Sequence, residues 1–293
     1  MFHFNPIFCK LQVSAQTPAC NRQFTLVFSL ERVLSPYLRE KTRVNCLSQA
    51  SLAGAFTVDS KLFLWHSFFM KIHINDILLY YKKVGQGPPI VLLHGNGQDH
   101  TIFRLLIKKI SRHYTVYALD SRDHGKSSRV KTLHYMTKMD DVADFIKKLE
   151  IEKPVLYGFS DGGIIGLLLA IHHPDMLEKL IISGANTNPG GIKRFPFFLI
   201  KVGYFFTRSK KLKLMLTEPD ITDAELSSII TPALVLAGRR DIIKQEHTVA
   251  LAESIPVCGL EILKGHSHAS YVVNSEKIYE IIMEFLGDEH PQD

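Results

Sequence analysis

Apolar and polar positions settle into a regular alternation only from about residue 70 onward. Six short runs, Ile90–Leu93, Thr115–Leu119, Pro154–Tyr157, Lys179–Ser183, Pro232–Ala237 and Leu260–Leu263, are continuous and apolar. That is the pattern of strands covered on both faces. Between them the spacing turns helical, with Val142, Ile146 and Leu149 on one face and Ile278, Ile281, Ile282 and Phe285 on another. Ahead of them, Lys71–Ile74 and Ile77–Tyr81 flank Asn75-Asp76, which suits a tight hairpin. Strand–helix alternation of this kind predicts an α/β fold, a mostly parallel central sheet with helices on both faces. In such sheets ligands sit beyond the carboxyl ends of the strands, so the chemistry is expected in the loops that follow them.

Two stretches break the alternation. Residues 187–230 hold no strand-like run but an aromatic, basic segment, and are expected to form a small helical lid over the strand ends. Residues 1–69 show no sustained period, and their apolar clusters have no evident partners. They are expected to be a weakly structured extension, with Met70 as the functional start and residues 70–293 as the folded domain.

Composition adds exclusions. An apolar fraction of 46% and a charged fraction of 22% are those of an ordinary globular protein. The net charge of +6 is concentrated in residues 1–70, leaving a nearly balanced remainder that argues against a nucleic-acid partner. Cys9, Cys20, Cys46 and Cys258 show neither a disulfide framework nor metal-ligand spacing. No apolar run is long enough for stable membrane insertion and no secretory signal is evident, so a cytoplasmic location is expected.

The chemistry-bearing motif is Gly158-Phe159-Ser160-Asp161-Gly162, which follows a predicted strand and opens an apolar helix. A serine on a sharp strand-to-helix turn takes strained backbone angles, and small neighbours prevent clashes there. The turn exposes Oγ, and the helix N-terminus adds unpaired N–H groups. Ser160 is therefore the candidate nucleophile.

With these residues in view, the chain from about residue 71 to Leu286 resembles the α/β-hydrolase superfamily. His94-Gly95-Asn96-Gly97 stands where that family places its oxyanion loop. Asp120-Ser121-Arg122-Asp123-His124-Gly125-Lys126-Ser127 is similar to the loop usually written D-x-R-G-x-G-x-S, with Asp123 where glycine is usual. The resemblance implies a Ser–acid–His order, with Asp241, three residues after Gly238, as the acid. For the base it selects His268 in Gly265-His266-Ser267-His268, with His266 as the rival. Backbone N–H groups of Asn96 or Gly97 and of Asp161 are the implied oxyanion donors.

The elbow and Gly184-Ala185-Asn186 also resemble the biphenyl hydrolase-like (valacyclovir hydrolase) and enol-lactonase-type esterases. In the former the acid after the nucleophile receives a substrate ammonium, so Asp161 is expected either to bind an amine or to cap its helix. Phe159, Phe195 and Phe198 are candidate substrate contacts, though an aromatic stripe on a short helix also serves as a packing face. Arg194, Lys201 and Arg208 suit an anionic substrate, a membrane surface or simple solvation. The expected function is hydrolysis of a small-molecule carboxylic ester, lactone or thioester through an acyl-enzyme, without metal or organic cofactor. Carbon–carbon bond hydrolysis or perhydrolysis on the same residues, and a non-catalytic ligand-binding role, are the alternatives.

Overall fold

The computed structural model describes residues 68–287. The expected extension, apart from its last two residues, lies outside the described residues. Eight strands form one sheet in the order β1-β2-β4-β3-β5-β6-β7-β8. The strands β1 (Phe68–Ile74) and β2 (Ile77–Val84) make the hairpin, with Asn75 at φ 49° in its turn. β1 starts two residues ahead of Met70, and a chain begun at Met70 would lack the pairing of Phe68 and Phe69 with Lys83 and Lys82. β2 runs antiparallel to β4 (Thr115–Asp120). From β4 onward every pairing is parallel, through β3 (Pro89–Leu93), β5 (Val155–Phe159), β6 (Leu180–Ser183), β7 (Ala233–Arg240) and β8 (Cys258–Ser267).

Strand side chains divide between two core layers by simple alternation. Val91, Leu93, Leu156, Ile182 and Val235 join Val142, Ile146 and Phe145 of α2 (Tyr135–Lys148), Ile165 and Leu169 of α3 (Asp161–His172) and Leu251 of α7 (Gln245–Ser254). Ile90, Leu92, Tyr157, Ile181 and Leu236 pack on the other face against Leu106 and Ile110 of α1 (Arg104–Ile110) and Ile282 of α8 (Tyr279–Leu286). Helices thus cover both faces, as the apolar runs require.

The expected lid is a helical insertion: α4 (Arg194–Thr207), α5 (Lys210–Thr217) and α6 (Asp223–Ser227). Two hydrogen bonds show what the first two helices span. Lys193, just before α4, donates from Nζ to the Asp241 carbonyl at 2.5 Å, and Asn96 donates from Nδ2 to the Lys211 carbonyl at 3.0 Å. The α4–α5 pair therefore bridges the loop after β7 and the loop after β3.

Candidate active site

The loop between β5 and α3 is built around crowding. A Cβ on Gly158 would fall 2.2 Å from the Gly162 carbonyl oxygen, and one on Gly162 would fall 2.1 Å from that of Leu93. Only glycine permits so close an approach, and the turn brings Ser160 to φ 53°, ψ −114°. Such a conformation costs ~1–3 kcal/mol and persists only where the surroundings enforce it. Here Ser160 donates its N–H to the Ser183 carbonyl (2.8 Å), while its own carbonyl accepts from Gly163 and Ile164 (2.9 and 3.1 Å). Asp161 and Gly162 open the helix, where N–H groups have no intrahelical acceptor.

Of the residues expected at the site, Ser160, His268 and Asp241 come together. His268 Nε2 lies 3.2 Å from Ser160 Oγ, and His268 Nδ1 lies 2.6 Å from Asp241 Oδ1. The Nδ1–H donates to the carboxylate, which leaves Nε2 as the acceptor facing the hydroxyl. Asp241 is buried, and its Oδ1 also accepts from the Ile243 N–H at 3.0 Å. Gly184, at φ 61°, passes so near that a Cβ there would stand 2.8 Å from His268 Cε1. The rival His266 points elsewhere, its Nδ1 3.2 Å from Ser270 Oγ and its ring edge-on to Tyr271.

The loop after β3 also reaches the serine. A Cβ on Gly95 would be 3.1 Å from Ser160 Cβ, so this loop lies against the elbow. Its neighbour Asn96 commits its side-chain amide to Lys211, as noted, and Gly97 follows at φ 73° with open space around its Cα. His94, at the foot of the loop, is buried; its Nδ1 bonds the Gly95 carbonyl (2.8 Å) and its Nε2 accepts from the Ser121 N–H (3.0 Å). Burial drives its pKa down to about 4, so the ring is neutral at pH 7. The neighbouring ring of His124 is 5.1 Å away, with a pKa driven by burial down to about 3.

Asp161 does something the sequence did not announce. Its carboxylate is buried and accepts from Tyr135 Oη at 2.7 Å and from Lys138 Nζ at 2.9 Å, both on α2. Burial alone would raise its pKa, but the Lys138 ammonium and these hydrogen bonds hold it below the usual carboxylate range. Its place in the first turn of α3 also sets a negative charge at that helix's N-terminus. A sequence signal exists only in hindsight, in a lysine on the otherwise apolar face of α2 beside Tyr135, Met139 and Val142.

The other candidates separate from one another. Phe159 is buried and sets its ring 5.0 Å from that of His268, tilted by 43°. Phe195 and Phe198 are exposed on α4. Asp123, where the family resemblance leads one to expect glycine, takes a left-handed conformation at φ 66°. Its carboxylate reaches the helical insertion, accepting from Lys210 Nζ at 2.7 Å.

Over residues 88–212 the sequence matches the α/β hydrolase fold family. It is 31% identical over 106 residues to the uncharacterized hydrolase YraK of Bacillus subtilis, covering 35% of this chain and 39% of that protein. It is 33% identical over 123 residues to the human serine hydrolase BPHL, covering 40% of this chain and 42% of that one. Each of these two alignments thus spans less than half of the relative. Among solved structures, 2-hydroxy-6-oxo-6-phenylhexa-2,4-dienoate hydrolase from Rhodococcus sp. strain RHA1 superposes with a TM-score of 0.65 at 17% identity, covering 76% of this chain and 99% of that one. The protein has an α/β-hydrolase fold, and its sequence is similar to that of hydrolases of this fold.

Proposed function

We propose that the protein is a serine hydrolase that cleaves a small-molecule carboxylic ester, lactone or thioester through an acyl-enzyme on Ser160. The observation that carries this reading is the unbroken hydrogen-bonded line from Ser160 Oγ through His268 to Asp241, at 3.2 and 2.6 Å. In this scheme Oγ attacks the carbonyl carbon while His268 Nε2 takes its proton. Asp241 holds the ring in the required tautomer and stabilises the imidazolium. The tetrahedral oxyanion accepts from the backbone N–H of Asp161 and from that of Asn96 or Gly97. His268 then protonates the departing oxygen or sulfur, the acyl group stays on Oγ, and water repeats the cycle to release the acid. Asp161 enters through its backbone rather than as a receptor for a substrate ammonium, because its carboxylate is already paired with Lys138.

The test is labelling with a fluorophosphonate probe together with turnover of a panel of short esters, lactones and thioesters. Ser160→Ala should abolish both. His268→Ala should reduce turnover by at least ~10³-fold, whereas His266→Ala should leave it within about threefold. Full labelling of Ser160→Ala, or a loss confined to His266→Ala, would overturn the assignment.

A further inference from the structure

The helix α4 turns an apolar face to solvent. Phe195, Phe198, Leu199, Val202, Phe205 and Phe206 are all exposed, up to 77% for Phe206. Their spacing is that of a single helical stripe. None of the residues of α4 is buried, and the helix rests on α5 along one flank of the stripe, where a Cβ on Gly203 would lie 3.0 Å from Leu212 Cδ1. Soluble proteins rarely leave a contiguous apolar face uncovered without a partner for it.

Charge identifies the partner. From Lys179 to Thr217 the chain carries no aspartate or glutamate, while Lys193, Arg194, Lys201, Arg208, Lys210, Lys211 and Lys213 lie on or beside α4 and α5. One of these cations touches the stripe and another flanks it. The Arg208 guanidinium stands 5.5 Å from the Phe205 ring centroid, and Lys201, next to Val202 in the chain, sets its Nζ 4.8 Å from the Phe197 centroid beside the stripe. Aromatic and aliphatic side chains on one face with lysine and arginine along its border match the interfacial zone of a bilayer rich in acidic headgroups. A protein partner of the same apolar character would not call for an acid-free border.

We propose that the exposed face of α4 docks on an anionic lipid surface, burying the Phe198–Phe206 stripe among the headgroups with its cations against their phosphates. Because α4 and α5 bridge the loops of Asp241 and Asn96, docking brings the edge of the candidate site to the bilayer. Docking does not depend on the chemistry assigned to Ser160, so either idea can fail alone.

The test is flotation of the full chain with vesicles of phosphatidylcholine alone or mixed with phosphatidylglycerol. Binding to the mixed vesicles should be at least ~10-fold tighter, and should weaken as salt is added. Phe205→Ser/Phe206→Ser should lose at least ~10-fold of that affinity, and Lys201→Glu/Arg208→Glu should abolish the preference for the anionic lipid. Both variants should keep the parent's thermal unfolding and its turnover of a water-soluble ester. Equal flotation with the two vesicle types, or no loss in either variant, would overturn the proposal. So would a concentration-dependent dimer that Phe205→Ser/Phe206→Ser dissolves without any vesicle binding by the parent, since a second copy would then be the occupant.

Discussion

At the scale of single residues, the site is shaped as much by missing side chains as by present ones. Gly184 stands where an added methyl would press on His268 Cε1, and its φ of 61° is unwelcoming to any other residue. Gly184→Ala should lower kcat by at least ~10-fold with KM little changed, because the displaced imidazole loses its line to Ser160. It should also cost ~1–3 kcal/mol of stability from backbone strain. Steady-state kinetics and urea unfolding of the same preparation check both effects. Ser160 was singled out by its place after a predicted strand, and Asp241 and His268 by the family resemblance; the structure brings the three side chains together. The identity of the histidine was readable only through family resemblance, since two imidazoles separated by one residue look alike on paper. The partners of Asp161 were not readable, because Lys138 lies 23 residues away on a different helix and meets it only through packing.

At the scale of elements, the pairing of Lys138 and Tyr135 with Asp161 fastens α2 to the first turn of α3, next to Ser160. Both charges are buried, so removing one partner strands the other. Lys138→Met should destabilise the protein by ~3–5 kcal/mol, and Lys138→Met/Asp161→Asn should recover a large part of that loss, as read by urea unfolding of the two variants. Strands were legible where they are central, because burial on both faces enforces unbroken apolar runs. Their ends were less so. β8 extends from Cys258 to Ser267, well past the run Leu260–Leu263, since an edge strand half open to solvent tolerates Glu261, Lys264 and His266. The stripe on α4 could be found from its spacing, but whether it faced inward or outward depended on the surface beneath it.

At the scale of the whole molecule, pH couples to the fold through two buried rings. His94 and His124 have pKa values lowered to about 4 and about 3, against an unfolded value near 6.5. The unfolded chain therefore binds protons that the folded one refuses between pH 6.5 and about 4, and stability falls as pH falls through that window. Each histidine contributes up to ~1.4 kcal/mol per pH unit. Thermal unfolding should show the midpoint dropping steadily below pH 6.5. His124→Phe should flatten that drop, since it removes one of the titrating rings, and it should cost some stability at neutral pH through loss of the bond between Nδ1 and the Arg122 carbonyl (2.9 Å).

The sheet order carries one more consequence. Ser160 and His268 are 108 residues apart in the chain, and the imidazole arrives on the loop after the last strand, at the sheet's far edge. On the proposed chemistry, a polypeptide still being translated holds a serine with no base until β8 has emerged and docked against β7. Hydrolytic competence is then a late event in the protein's biogenesis, and an unfinished or misassembled copy is chemically silent.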